Sequence, residues 1–392
     1  MALRIANFVD SSLEALERKG NLSHALNLYN PQDAAEKVIH FAVYPSDARY
    51  AEAFAAHRIE IFPFFDRARA GLLSAVVSVP AAFVRVVRKI RRERVNLIRG
   101  RLPYFSSLIG CAAGRLLHVP SVVSLGGDNR IPQQREGRYY FGSRALSFGM
   151  ERLVLRLCDA IIVPNAFTLE YVASLIGSAR ARSKTAVIPW ILERPPAGEL
   201  STARIDLSTL GLAGDVPVVL VVGHLNAYKY SREMFDVAHA LLTQPGPRVQ
   251  FVFCGDGPLR AEGEAKLAGL AGSHFLGWQP NAVVLALMQR AAAVLIPMSG
   301  FVLLEAAANG AAVIASDAEW HAEMIREGDT GWIVAAESVP AWISRIVWVL
   351  AHREDAGNAG RRLRELFDRA YSPDAAFRKE AELYRGLTCE KS

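Results

Sequence analysis

Apolar positions along the chain gather into short, unbroken runs of Val, Ile, Leu, Phe and Ala. Longer stretches with apolar residues at helical spacing separate them. In the first half the runs are Arg4–Phe8, Val38–Val43, Glu60–Phe62, Asn96–Ile98, Ser121–Leu125, Ala160–Val163 and Thr185–Ile188. In the second they are Val216–Val222, Val249–Cys254, Ser273–Leu276, Ala293–Ile296, Ala312–Ala315 and Gly331–Val334. Unbroken rather than alternating runs belong to strands covered on both faces. Strand and helix in regular alternation imply parallel sheets with helices as the covering layers. The segment ERPPAGELSTAR (Glu193–Arg204) interrupts the pattern with two prolines, a glycine and polar residues, and reads as a linker. The pattern therefore predicts an α/β chain of two doubly wound, Rossmann-like domains, residues 1–195 and 196–370. Paired domains of this kind hold ligands in the cleft at the carboxyl ends of their strands.

Composition narrows the class. With 392 residues, 51% hydrophobic and 21% charged, the chain can bury two cores and is not a disordered protein. Its four cysteines (Cys111, Cys158, Cys254, Cys389) are far apart, and three lie in apolar runs, which excludes a disulfide scaffold and suits a reducing compartment. No CxxC or His/Cys cluster suggests a metal. The mean hydropathy of +0.16 is high. Yet the uncharged stretch most tempting as a span, Ala70–Val84, has 15 residues and contains Pro80, short of the roughly 20 that a spanning helix needs. The opening MALRIANFVDSS reaches Asp10 too soon to read as a signal peptide. The net charge of +6 is uneven: residues 1–200 carry 27 Lys and Arg against 17 Asp and Glu, whereas residues 201–392 carry 18 against 22. The first half is therefore the one expected to meet an anionic partner.

Three segments carry candidate chemistry. Phe251–Arg260, FVFCGDGPLR, is a strand ending in Gly255-Asp256-Gly257-Pro258 before a helix. The glycines permit a tight turn and close approach of the backbone to a ligand, or only a corner. Val294–Asp317, VLIPMSGFVLLEAAANGAAVIASD, runs from a strand through Met298-Ser299-Gly300 into a helix holding Glu305. Free N–H groups at that helix start, with the helix dipole, favour a phosphate or diphosphate. Glu305 falls about one turn in, among Val302, Leu303, Leu304 and three alanines. A carboxylate there needs a partner, and a ribose diol supplies two hydroxyl donors. In Val221–Lys229, VVGHLNAYK, a strand meets Gly223 and a cation follows, placed to meet a phosphate or simply solvated.

Order and spacing of these segments are more specific than any one of them. Gly223-His224-Leu225 with Lys229, then Gly255-Asp256-Gly257-Pro258, then Phe275-Leu276-Gly277, then Glu305-Ala306-Ala307-Ala308-Asn309-Gly310 resemble the retaining glycosyltransferases of family four, which have the GT-B fold. Asp317 and Thr330-Gly331 continue the likeness, which is strong over residues 216–350. Over residues 1–200 only the alternation and DAIIVPN (Asp159–Asn165) are familiar. The resemblance implies two Rossmann-like domains facing a central cleft, with a C-terminal helix, residues 371–392, packing back on the first. It further implies that Lys229 neutralises a donor diphosphate and that Gly277 and Trp278 border the base. The N–H groups of Gly300, Phe301, Val302 and Leu303 would hold the phosphates, and Glu305 the ribose. Gly223, His224, Gly255 and Gly257 would complete the donor site. The donor would be a nucleotide-diphosphate sugar of UDP or GDP type, with no further cofactor and no metal.

Three departures mark this chain. The family's Arg beside the Lys is His224, and a neutral imidazole donates one hydrogen bond only. The family's first Glu, eight positions before Glu305, is Pro297. Where relatives have a His after the strand Ser121–Leu125, this chain reads Gly126-Gly127-Asp128-Asn129-Arg130. Asp128 either supplies a catalytic polar group there or caps the next segment. After the first strand, Asp10-Ser11-Ser12, Lys19-Gly20-Asn21-Leu22 and Tyr29-Asn30-Pro31 either face the acceptor or form ordinary turns. Arg135, Arg138, Tyr139 and Tyr140 are candidates to border an acceptor phosphate.

Val79–Arg101 holds eight Lys and Arg (Arg85, Arg88, Lys89, Arg91, Arg92, Arg94, Arg99, Arg101) against Glu93 alone. Phe83, Val84, Val87, Ile90 and Val95 lie near helical spacing between them. Such a helix suits an anionic membrane surface, by charge attraction and shallow apolar insertion, or is a solvated face of the domain. Without interleaved aromatics it does not suit nucleic acid. The activity expected is transfer of a sugar to a saccharide hydroxyl, on a lipid-linked acceptor at the inner face of the cytoplasmic membrane. A non-catalytic nucleotide-sugar-binding subunit and a nucleotide-sugar epimerase are the alternatives.

Overall fold

The computed structural model describes residues 2–10, 12–18, 29–30, 34–43, 45–65, 72–131, 137, 139, 141–190, 192, 207–298 and 300–389. Ser11, Lys19–Leu22, Pro31, Arg135, Arg138, Tyr140, Ser299 and the expected linker Glu193–Arg204 lie outside them. The chain forms two compact units. The first comprises Met1–Asp128, Tyr139–Ile191 and Ala376–Ser392, and the second Asn129–Arg138 and Leu192–Ala375.

The first unit is built on strands β1 (Arg4–Val9), β2 (Lys37–Ala42), β3 (Ile59–Pro63), β4 (Leu97–Gly100), β5 (Ser121–Ser124), β6 (Ala160–Val163) and β7 (Thr185–Val187). They form one parallel sheet in the order β3-β2-β1-β4-β5-β6-β7. Its two faces explain the unbroken apolar runs. Ile5, Val9, Val38 and Leu97 point into one core, and Ala6, Phe8, Ile39, Phe41 and Ile98 into another. Phe8 and Phe41 stack at 4.6 Å between centroids on adjacent strands.

The second unit continues with β8 (Val218–Val222), β9 (Gln250–Cys254), β10 (Ser273–Gly277), β11 (Ala293–Ile296), β12 (Val313–Ser316) and β13 (Trp332–Val334). This sheet is also parallel, in the order β10-β9-β8-β11-β12-β13. Val219, Val221, Phe251, Phe253, Leu295 and Ile314 form the centre of its core. In both sheets the order reverses beside the first strand of the unit. The crevice at such a switch point, at the carboxyl ends of the strands, is where doubly wound sheets bind ligands.

The C-terminal helix Pro373–Cys389 packs on the first unit. Ala376 and Tyr384 join the core around Ile5, Val38 and Leu97. Glu380 accepts a hydrogen bond from Tyr384 Oη and pairs with Arg99 in the buried interior. Arg99 shares a cross-strand row with Asn7 and His40, so this polar row runs across three central strands.

That row corrects the expectation for Val79–Arg101. Arg99 points inward to Glu380, and Arg101 is half-buried with its guanidinium 5.3 Å from the centre of the Tyr29 ring. In the helix Leu72–Arg92 the stripe Ala82, Val86 and Ile90 is buried against Phe8, Phe41 and Ile98, with Phe83 and Val87 packed beside it. This apolar face closes the core instead of being open to lipid; Val84 remains exposed. Lys89 pairs with Glu60 and with Glu93 at 2.9 Å, so it too is engaged within the protein. Arg88, Arg91, Arg92 and Arg94 are the exposed cations that remain. The sequence periodicity locates an amphipathic helix but cannot say which neighbour covers its apolar side.

At the other N-terminal candidates, Asp10 accepts hydrogen bonds from Ser106 N (3.1 Å) and Ser106 Oγ (2.7 Å), capping the start of the helix Phe105–Leu117. Tyr29 is buried on His40, and Asn30 Oδ1 accepts from Ala35 N at 2.9 Å.

Candidate functional site

The switch point of the second sheet lies between β8 and β11, and a pocket opens there. Gly223, His224, Lys229, Pro297, Met298 and Val302 line it. Three of these, Gly223, His224 and Lys229, come from the loop after β8. The other three flank Gly300, where β11 passes into the helix Phe301–Ala308.

The helix starts without a side-chain cap: Gly300 occupies the cap position at φ 152° and ψ −163°, a conformation that residues with a side chain rarely adopt. Its first N–H groups therefore lack an intrahelical acceptor, and the helix dipole adds about half a positive charge there. Lys229 reinforces that field. Its Nζ lies 3.5 Å from the point a Cβ on Gly300 would occupy, an ordinary contact distance that sets the ammonium directly beside the helix start. Lys229 N donates to Asn226 Oδ1 at 2.9 Å, which fixes the loop beneath it. Burial pulls the lysine down from its ordinary value to about 8, against the attraction of Glu319. Phe301 is exposed, Val302 half-buried and Leu303 buried, so Leu303 anchors the helix in the core.

Glu305 is half-buried one turn into this helix. The partner that the sequence could not name is Asn281, whose Nδ2 donates to Glu305 Oε1 at 3.0 Å from the start of the helix Asn281–Arg290. Burial raises the Glu305 carboxyl above the usual carboxylate range, and the Asn281 bond opposes this. The amide leaves the carboxylate further lone pairs for hydroxyl donors. Asn309 and Gly310 end the helix as its sequence suggests, with Gly310 at φ 65°.

Gly255 and Gly257, expected either to let backbone approach a ligand or only to turn a corner, make a close approach to another loop. A Cβ on Gly255 would lie 2.0 Å from Gly223 O, and one on Gly257 2.4 Å from Leu225 O. The loop after β8 fills that space. It is stitched to the loop after β9 by Gly223 N to Cys254 O (3.0 Å), Leu225 N to Asp256 O (2.9 Å) and Leu259 N to Leu225 O (3.0 Å). The Gly-Asp-Gly-Pro turn thus shapes the site by packing loop on loop. Gly255→Ala, at φ 149°, is expected to lower stability by about 2 kcal/mol, read from the urea midpoint, and to displace Gly223.

The loop after β10 lies alongside through a bridge between Gly255 and Gly277. Trp278 follows with 68% of its surface exposed. Its ring lies 22° from parallel to the exposed His224 ring, centroids 6.3 Å apart. Arg260 is a further cation here. Its Nη1 is 2.9 Å from the Cβ position of Gly277, and it pairs with Asp256 and Glu264. Arg260 closes the same Gly-x-Gly-Pro segment, so the logic that selects Lys229 could have selected it.

Under the Pro297–Met298 turn, Ser316 Oγ donates to Pro297 O at 2.9 Å. His321 Nδ1 donates to Ser316 O at 2.8 Å, and burial pushes this imidazole down to about 4. The structure thus brings Gly223, His224, Lys229 and Val302 to one pocket, with Gly300 beside the Lys229 ammonium. It places Gly255, Gly257, Gly277 and Trp278 on the adjoining loops and Glu305 on the helix that starts there. Asp128, the remaining catalytic candidate, belongs to the first unit, where it is buried after β5. Among the described residues no group of three or more His, Cys, Asp or Glu could hold a metal ion, and no helix is long and apolar enough to cross a membrane.

Comparison with known proteins bears on the family and the fold. Residues 23–190 match the family model described as Glycosyltransferase Family 4, and residues 205–365 the model described as Glycosyl transferases group 1. Over 240 residues the chain is 26% identical to the D-inositol 3-phosphate glycosyltransferase of Nocardia farcinica, covering 58% of this chain and 51% of that protein. Over 181 residues it is 29% identical to the alpha-D-kanosaminyltransferase of Streptomyces kanamyceticus, covering 44% and 46%. The matches thus span about half the length of these curated relatives. Among solved structures, Anabaena HepE in complex with UDP superposes with a TM-score of 0.75 at 15% identity, over 98% of this chain and all of that one. Sucrose-phosphate synthase from Thermosynechococcus elongatus gives 0.73 at 18%, over 99% of this chain and all of that one. At such identities the likeness is one of fold. With both family models matched in chain order and both parallel sheets in place, the chain belongs to the family-four glycosyltransferases and has the GT-B fold.

Proposed function

We propose that the protein moves a hexose-like sugar from a UDP- or GDP-type donor to a hydroxyl of a lipid-linked saccharide, with retention of anomeric configuration. The observation that carries this reading is the Lys229 ammonium beside Gly300, at the uncapped start of the helix Phe301–Ala308. A diphosphate is the ligand whose charge and size suit N–H donors and an ammonium together. Glu305, one turn further along, takes the ribose hydroxyls, and the exposed Trp278 and the loop at Gly277 border the base. UDP is the nucleotide bound in HepE, which supports a uridine donor.

In the reaction the bond from the anomeric carbon to the diphosphate oxygen breaks, and one to the acceptor oxygen forms on the same face. The acceptor proton passes to the departing phosphate oxygen, so no protein base is required. Negative charge grows on the diphosphate in the transition state, where Lys229 and the N–H groups of Gly300, Phe301, Val302 and Leu303 stabilise it. The first unit recognises the acceptor, with Asp128 as its candidate polar group. The exposed Arg88, Arg91, Arg92 and Arg94 draw that unit to the anionic inner face of the cytoplasmic membrane by charge alone.

A nucleotide panel tests the donor site. A ligand that binds only the native state at about 100 times its Kd stabilises by about 2.7 kcal/mol. UDP or GDP should therefore raise the melting temperature by several degrees where the free bases do not. UDP- and GDP-hexoses, incubated with saccharide acceptors and followed by NMR at the anomeric proton, should then give an α-linked product from an α-donor. Flotation with anionic vesicles should fall away at high salt. No stabilisation by either diphosphate would overturn the reading.

A further inference from the structure

We propose that Glu319 is a positioning residue for Lys229: held by Tyr228 in a left-handed backbone turn, its carboxylate fixes the ammonium in front of Gly300. This rests on the reading of Lys229 as the cation of the donor diphosphate.

One tyrosine touches both charges. Tyr228 Oη donates to Glu319 Oε1 at 3.2 Å. Lys229 Nζ lies 5.0 Å from the centre of the same tyrosine ring, within cation–π range. Tyr228 and Lys229 come from the loop after β8, whereas Glu319 comes from the loop after β12, 91 residues on from Tyr228. Tyr228 and Ala318 pack together on the small cluster of Tyr230, Met298 and Ala336, which joins those loops to the turn before Gly300.

The backbone points the same way. Glu319 has φ 50°, a conformation in which a glycine is unstrained and a glutamate is not. A turn needed only as a turn would be better served by glycine, so the contacts of the side chain are what offset the strain. Tyr230, the residue after Lys229, is also left-handed, at φ 55°. Two strained residues thus flank one ammonium, and strain of this kind gathers where a side chain must be aimed.

The other titratable groups around Lys229 do not supply this charge. His321, on the short helix after β12, feels Lys229 electrostatically. Its Nδ1 donates to Ser316 O, and burial keeps the ring neutral at physiological pH. Asp317 acts on His321 and accepts from Ala336 N at 3.0 Å. Glu319 is the group whose attraction keeps the half-buried amine protonated against desolvation. Without it, less of Lys229 is charged at neutral pH and the charge it keeps is less well placed.

Binding of UDP and GDP by the full chain, measured by calorimetry from about pH 6.5 to 9.5, tests this with Glu319→Gln, Glu319→Gly and Lys229→Ala. Glu319→Gln should lose about tenfold in affinity at neutral pH, and its alkaline fall should begin about one pH unit earlier than in wild type. Glu319→Gly should show the same loss of affinity with a melting point close to wild type, because the strain leaves together with the contacts that offset it. A merely structural glutamate would not give the shifted limb. Unchanged affinity and an unshifted limb in Glu319→Gln, with binding lost in Lys229→Ala, would overturn the role of Glu319 alone. Wild-type binding in Lys229→Ala would overturn the donor-site reading and this one with it.

Discussion

Lys229→Ala is expected to lower kcat/KM for the donor about a thousandfold, roughly 4 kcal/mol of transition-state stabilisation. The ammonium stands beside Gly300 at the helix start. The charge it meets grows as the diphosphate leaves, so kcat should fall further than KM rises. Steady-state kinetics with the donor identified by the nucleotide panel checks this; activity within a few-fold of wild type would remove Lys229 from the site.

The same lysine gives the reaction a pH dependence with a definite sign. Only the ammonium attracts a diphosphate, and burial has lowered Lys229 to about 8. Donor affinity should therefore hold below pH 8 and fall as the pH rises through it. A bound diphosphate favours the charged amine, so binding just above pH 8 should take up a proton, detectable as a buffer-dependent heat. Unfolding does not mimic this loss. Burying the charged amine costs stability below about pH 8, and that cost fades as the pH rises towards the ordinary value of 10.5. The group thus makes the free protein more stable across the window in which affinity falls.

Glu305→Ala is expected to weaken donor binding about a hundredfold, close to 2.7 kcal/mol, the worth of two hydroxyl bonds to a charged acceptor. These contacts hold in ground and transition state alike, so the loss should appear mainly in KM. A 2′-deoxy donor makes the measurement specific. Wild type should lose most of its affinity when the 2′-hydroxyl is absent, while Glu305→Ala should hardly distinguish the two donors. If the variant still discriminates between them, another group reads the ribose. Asn281→Ala should give a smaller loss of the same kind, since Asn281 Nδ2 holds one carboxylate oxygen in place.

Much of the fold was legible because parallel strands buried on both faces leave unbroken apolar runs. Each expected run contains or overlaps one of β1 to β13, with ends that differ by a residue or two. Glycine motifs, the Lys229 loop and the Glu305 helix were legible because each spans a single strand, loop and helix start. The helix Leu72–Arg92 shows where such reading stops. Its period was plain, but whether the expected face of Phe83, Val87 and Ile90 met lipid or core depended on the sheet beneath it, and the deepest positions beside Ile90 are Ala82 and Val86. Gly255 and Gly257 show the same limit. Their freedom was readable, but the backbone that fills the space belongs to another loop.

The sequence alone therefore determined the two parallel α/β domains, the order of the glycine, Lys229 and Glu305 segments and the family. Its signals are local: burial pattern, turn residues and helix starts act over a few positions. Tertiary structure alone decided who partners whom. Sheet order β10-β9-β8-β11-β12-β13 places the loops after β8 and β11 side by side. It is the fold that sets Asn281 against Glu305, Tyr228 against Glu319 and Arg99 against Glu380. Those partners lie 24, 91 and 281 residues apart in the chain. Contacts across such separations depend on the crossovers between strands, and no local pattern records them.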